Sequence, residues 1–236
     1  ASPRSGPRQY RGSLTVDRAL TLASARLEKA LRMAAAGHEG QVRRSSQVPY
    51  VEHVFGVAWI LDRAGFDEDV VIAGLLHDLL EDTPITRIQV EDSFGSHVAD
   101  LVAVCSEEKL DAQGRKRPWI DRKRDHLAAV AQAQEEARAI VLADKLHNLI
   151  SIELDLTENR PVWSEFHAER DQVLWYQDAM ISVCAEGSGD PRIERLATSC
   201  RRGTRPHQGP WPVNLHPLTR FPVKGQRGAK FPGLTR

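Results

Sequence analysis

Apolar residues recur at threes and fours along most of this chain. Leu20, Leu22, Leu27, Ala30, Leu31 and Ala34 follow that spacing and predict an amphipathic helix over residues 15–36. Gly37 and Gly40 close it, as glycines do at helix C-termini. A polar loop over 41–48 follows. Pro49 then opens a second helix that runs to about Ala64 and stops at Gly65. Residues 67–82 are apolar on nearly every side, which predicts a buried helix, ended by Pro84. Thr86 and Gln89 form a capping box for a short helix ending near Gly95, and 98–105 is a further apolar helix. The charged stretch 107–117, with Gly114 inside it, reads as an exposed loop. Pro118 starts a helix over 119–133, and helices over 137–156 and 163–183 follow. Trp119, Trp163 and Trp175 recur with helical leucines and read as core. Alternating strand patterns, internal repeats and a glycine-rich phosphate loop are all missing, so the fold class is all-α.

Composition changes this picture at the end of the chain. Lys plus Arg and Asp plus Glu balance at 32 each, but unevenly. From Gly187 onward there are ten basic and two acidic residues, a net of +8, which leaves −8 for the rest. The same stretch holds seven of the 16 glycines and seven of the 13 prolines. The expected organisation is a flexible N-terminus (1–14), a folded domain (15–186) and a basic, disordered tail (187–236). The tail's scattered charges lack an organised motif, which favours a plain disordered end over a nucleic-acid contact. Cys105, Cys184 and Cys200 show neither metal-ligand spacing nor a disulfide framework, which suits a reducing compartment. No apolar run reaches the roughly 18–20 residues of a membrane span. The arginine-containing N-terminus lacks the apolar segment of a secretory signal. A cytoplasmic protein of unspecified oligomeric state is expected.

Candidate chemistry sits in the apolar helix. His77, Asp78, Glu81 and Asp82 follow Val70-Val71-Ile72-Ala73-Gly74-Leu75-Leu76. In one continuous helix His77 and Glu81 stack a turn apart, as do Asp78 and Asp82, and neighbours differ by about 100°. All four then point at one place. Burying unpaired carboxylates is very costly, and a cation there removes that cost. His53 on the second helix and Asp144, within Ile140-Val141-Leu142-Ala143-Asp144, offer further ligands in apolar settings.

The order His53, His77-Asp78, Asp144 resembles the HD-domain metal-dependent phosphohydrolases. The longer pattern resembles their guanosine polyphosphate hydrolases of the RelA/SpoT type, including small stand-alone members. It comprises Gly40-Gln41-Val42-Arg43-Arg44-Ser45, Pro49-Tyr50-Val51-Glu52-His53, His77-Asp78-Leu79-Leu80-Glu81-Asp82-Thr83 and Ala143-Asp144-Lys145-Leu146-His147-Asn148. The resemblance implies that His53, His77, Asp78 and Asp144 bind one divalent metal. Mn²⁺ is usual in the family, and mixed N/O donors do not decide between it, Fe and Zn. Glu81 and Asp82 would orient the attacking water or carry its proton. Arg43 or Arg44 would pack on the guanine base, and Asn148 would read a base edge. The implied reaction removes the 3′-diphosphate from guanosine 3′,5′-bis(diphosphate), giving GDP or GTP and pyrophosphate. Departures at Arg44, Ser46 and Val104-Cys105-Ser106-Glu107 leave a second nucleotide or phosphoester substrate open. Nucleotide binding without turnover is the third alternative. His38 reads as a support for the loop, and His97, His126, His147 and His167 as surface or packing residues.

Overall fold

The computed structural model describes residues 24–166 and 168–203. Ten α-helices account for most of these residues: α1 (Ala25–Gly37), α2 (Val51–Ala64), α3 (Glu68–Leu76), α4 (Leu79–Asp82), α5 (Arg87–Phe94), α6 (Ser96–Cys105), α7 (Trp119–Ala131), α8 (Glu135–Thr157), α9 (Arg170–Ala185) and α10 (Pro191–Gly203). No strand occurs among the described residues. Two isolated antiparallel bridges, Val42 with Pro49 and Leu110 with Lys116, pin two loops. The all-α reading holds.

Two helices organise the core. Every residue of α3 from Val70 to Leu76 is buried, so this helix has no polar face. It packs against α1, α2, α6 and α8. Large apolar side chains such as Ile72 and Leu76, at 0% exposure, each contribute roughly 1.5–3 kcal/mol of burial. The long α8 meets α2, α3, α6, α9 and α10, and buries Ile140, Val141, Leu142 and Ala143 just before Asp144. Gly65 ends α2 in a left-handed conformation with φ of 85°, which a residue carrying Cβ adopts only with strain. Gly37, at the end of α1, has a packing role instead. A Cβ there would lie 2.6 Å from Leu79 Cδ2, so the missing side chain lets α4 approach.

Five expectations need correction. The apolar helix over 67–82 is not continuous: α3 ends at Leu76 and α4 begins at Leu79. The cause is local. An unbroken helix would give the Gly74 carbonyl to the Asp78 N–H, but His77 Nδ1 takes it at 2.9 Å. The helix over 163–183 is likewise two elements, a 3₁₀ turn (Val162–Glu165) and α9. The stretch after Cys105 is not uniformly exposed, because the Glu107 side chain is only 5% exposed. Finally, the folded domain continues past residue 186. α10 packs on α8 and α9, burying Ile193, Leu196, Ala197 and Cys200. Its apolar residues keep helical spacing inside a stretch whose overall composition is basic and rich in glycine and proline. The expected helix over 15–36 is also interrupted: Ser24 is extended, accepts the Leu27 N–H on its side chain and caps a helix that begins at Ala25. Residues 1–23, with the expected flexible segment 1–14, His167 and the remainder of the expected tail, 204–236, lie outside the described residues.

Candidate active site

α2, α3, α8 and the α3–α4 junction bring the expected ligands together. His53 Nε2 lies 3.2 Å from Asp144 Oδ1 and 3.7 Å from Asp78 Oδ2. His77 Nε2 lies 3.0 Å from Asp78 Oδ2 and 3.9 Å from Asp144 Oδ1. One donor atom each from His53, His77 and Asp144 falls within 4.8 Å of the others. Both histidines are buried, at 1% and 2% exposure.

The proton inventory fixes which nitrogens carry lone pairs. His77 Nδ1 faces a carbonyl, which can only accept, so Nδ1 holds the proton and donates to Gly74. Its Nε2 is buried and makes no hydrogen bond, although Asp78 stands 3.0 Å away. A lone pair and a carboxylate at that distance repel unless a proton or a cation sits between them. In the absence of a cation the proton wins. Burial pushes the His77 imidazole down, but Asp78 and Asp144 outweigh it and raise it to about 9. Burial would likewise raise both carboxylates. Instead His77 and His53 hold Asp78 below the usual range, and Lys145 and His53 hold Asp144 well below it.

His53 is oriented by a residue that sequence reading assigned to packing. Its Nδ1 lies 2.9 Å from Nδ1 of His147, whose Nε2 lies 3.3 Å from Glu52 Oε1. Burial lowers both rings, His147 to about 4, so both are neutral near pH 7. One arrangement frees His53 Nε2 for a cation: His147 Nε2–H donates to Glu52, and His53 Nδ1–H donates to His147. Without a cation, a proton on His53 Nε2 bonds Asp144. Gly56 makes this possible, since a Cβ there would meet His147 Nε2 at 2.1 Å. Tyr50 and Lys145 are two further supports that sequence reading did not single out. Tyr50 Oη donates to Asp78 Oδ2 at 2.6 Å, and Lys145 Nζ to Asp144 Oδ2 at 2.8 Å. Helical position was the available signal: Tyr50 and His53 lie three residues apart, and Lys145 and His147 lie inside the matched motif.

A cavity of about 170 Å³ opens on this cluster, lined among others by Glu81, Asp82 and Asn148. Lys109 Nζ reaches both acids, at 3.1 Å from Glu81 Oε1 and 2.5 Å from Asp82 Oδ1. Glu81 also accepts the Glu107 backbone N–H at 3.2 Å. Burial raises its carboxyl against the pull of Lys109. Asn148 donates to Asp144 Oδ1 and accepts from Arg43 Nη2 at 2.9 Å. Arg43 is thereby tied to the cavity wall, 5.9 Å from the Tyr50 ring. Arg44 is placed differently, with Nη1 donating to the Glu165 carbonyl at 3.1 Å. The cavity also has a wall from α7, carrying Lys123 and His126, that sequence reading missed.

Two buried imidazoles and two carboxylates on an all-helical core fit a divalent cation, which would take the place of the proton between His77 Nε2 and Asp78 Oδ2. Residues 30–173 match the HD domain, and the chain belongs to that family. It is 39% identical to the Drosophila melanogaster guanosine-3′,5′-bis(diphosphate) 3′-pyrophosphohydrolase MESH1, over 64% of this chain and 80% of that protein. It is also 39% identical to the bifunctional (p)ppGpp synthase/hydrolase SpoT of Escherichia coli, over 52% of this chain but only 18% of that protein. The chain thus spans less than a fifth of such long relatives. A solved structure described as a metazoan ortholog of SpoT that hydrolyzes ppGpp superposes with a TM-score of 0.63 at 30% identity, covering 76% of this chain and 96% of that one. The family implies a divalent metal. No helix among the described residues is long and apolar enough to cross a membrane.

Proposed function

We propose that this chain is a metal-dependent phosphohydrolase that removes the 3′-diphosphate from guanosine 3′,5′-bis(diphosphate), releasing GDP and pyrophosphate. The observation that carries the reading is the convergence of His53, His77, Asp78 and Asp144, with both carboxylates 3.0–3.9 Å from the two buried imidazole Nε2 atoms. These four residues would hold one divalent ion, with Mn²⁺ the first choice and Fe or Zn the alternatives. When bound, such an ion polarises a phosphoryl group and lowers the pKa of water. His147 and the Gly74 carbonyl fix the two imidazoles, while Tyr50, Lys145 and Asn148 fix the two carboxylates.

Glu81 is suited to accept the proton of the attacking water, because burial raises its carboxyl. Asp82, held by the same lysine, orients that water. Water oxygen attacks the phosphorus of the ester-linked 3′-phosphate. The bond from phosphorus to the 3′ oxygen breaks, pyrophosphate forms, and the 3′ oxygen takes up a proton. Arg43, with its planar guanidinium beside Tyr50, and Asn148 are the contacts for the base. Arg44 is the second candidate for the base, but its tie to the Glu165 carbonyl favours Arg43 in that role. The departures at Ser46 and Cys105 support a second reading, in which the site takes another nucleotide or phosphoester.

Metal titration tests the carrying observation. The intact chain is expected to bind one Mn²⁺. His77→Ala and Asp144→Asn are expected to lose that binding while keeping their helical circular dichroism. Stoichiometric binding by both variants would remove the proposed site.

A further inference from the structure

We infer that the α7 wall of the cavity, centred on His126, is an anion subsite that holds the distal, non-reacting phosphate of the leaving diphosphate. This deepens the function proposed above and rests on it. His126 is 8% exposed and lines the cavity, yet its Nε2 is buried with no hydrogen-bond partner. Buried polar atoms left unpaired are rare because they forfeit their hydration. The other ring nitrogen is committed: Nδ1 lies 2.7 Å from Tyr176 Oη and 3.4 Å from Glu107 Oε1. Burial raises the Tyr176 hydroxyl, so its proton is available to Nδ1. An anion at Nε2 selects that tautomer, with the imidazole proton on Nε2 directed at the anion.

The charge around His126 has the sign an anion needs. Glu107 is the carboxylate at this wall, and it is shared by Arg122 at 3.0 Å, by Lys123 and by His126. Glu81 adds a second, weaker negative charge felt by Lys123, but Lys109 already pairs with it. Two ammonium groups also share one aromatic ring. Lys123 Nζ stands 4.4 Å and Lys145 Nζ 5.1 Å from the Tyr176 ring centroid. Lys145 bonds Asp144, which links this wall directly to the proposed metal ligands. The cavity is therefore bipolar. The Asp78 and Asp144 end favours a cation, and the Lys123 and His126 end favours an anion. At about 170 Å³ it is smaller than the roughly 300–1,000 Å³ of pockets that enclose whole ligands, so it suits the reacting diphosphate better than a whole nucleotide.

Direct binding of inorganic pyrophosphate to the Mn²⁺-loaded full chain tests this, using two variants that divide the ring. His126→Asn keeps an amide near Nδ1 and empties the Nε2 position, whereas His126→Gln places an N–H₂ near Nε2. His126→Asn is expected to weaken pyrophosphate roughly tenfold, the worth of one hydrogen bond to a charged group. His126→Gln should stay close to the parent chain, and GDP affinity should be unchanged in both. Equal pyrophosphate affinity in His126→Asn and the parent would overturn the subsite, as would equal losses in both variants. A parent chain that binds pyrophosphate with this pattern but releases none from guanosine 3′,5′-bis(diphosphate) would keep the subsite and overturn the proposed reaction.

Discussion

Single atoms decide what this site can do. The His77 ring is committed at Nδ1 to a backbone carbonyl, and that one bond both breaks the helix and aims Nε2 at the carboxylates. His53 depends in the same way on His147, and His147 depends on Gly56 having no side chain. Gly56→Ala is therefore expected to act at the metal site without touching it. Displacing His147 should destabilise the fold by roughly 1–3 kcal/mol, as overpacking does. Metal affinity should fall about 10–100-fold, as when an outer-shell partner of a ligand is lost. Denaturant melts and Mn²⁺ titration of the variant check both. Unchanged affinity would mean that His147 does not orient His53.

At the scale of elements, the loop after α6 is tied to the site by Glu107, which joins it to α7 through Arg122, Lys123 and His126. Burial pushes the Glu107 carboxyl up, but the bond to His126 and the charge of Lys123 outweigh it and hold it at about 2 against an ordinary 4.5. The folded state thus binds this proton less readily than the unfolded chain. The contribution to stability is complete above about 4.5 and is lost as pH falls toward 2. Glu107→Gln should remove that part of the acid-induced loss, measured as melting temperature against pH. A variant whose acid limb matches the parent's would contradict the pairing. The contrast between this loop and α8 shows what was legible in the sequence. Apolar spacing places α2, α3, α6 and α8 because burial follows periodicity, and it places His53, His77, Asp78 and Asp144 because they interrupt apolar runs. It misses Glu107, which looks like any surface acid until α7 folds over it. It also misses the break at His77, because a side chain taking a backbone carbonyl leaves no mark on hydrophobic patterning. Composition misled at α10, where four buried residues are outnumbered by charges.

At the scale of the molecule, α8 carries Asp144 on one side and receives α9 and α10 on others, so the last helix supports the site from behind. Ending the chain at residue 186 would expose the α8 and α9 surfaces that Ile193, Leu196, Ala197 and Cys200 cover. Large apolar side chains contribute roughly 1.5–3 kcal/mol each, a sizeable part of the roughly 5–15 kcal/mol that holds a typical domain together. The truncated chain is expected to melt at much lower temperature or to aggregate, as a thermal scan by circular dichroism will show. A melt equal to the parent's would mean that α10 adds nothing. A helical core presenting a cavity with the proposed cation and anion ends would suit a phosphate ester. Pyrophosphate release from guanosine 3′,5′-bis(diphosphate) with added Mn²⁺, run beside Asp78→Ala, tests that directly. Release by the parent chain is expected, and at least a thousandfold less by the variant, taken as roughly 4 kcal/mol of lost transition-state stabilisation. Turnover of a different nucleotide in place of this one, or no release from Mn²⁺-loaded protein, would contradict the assigned substrate.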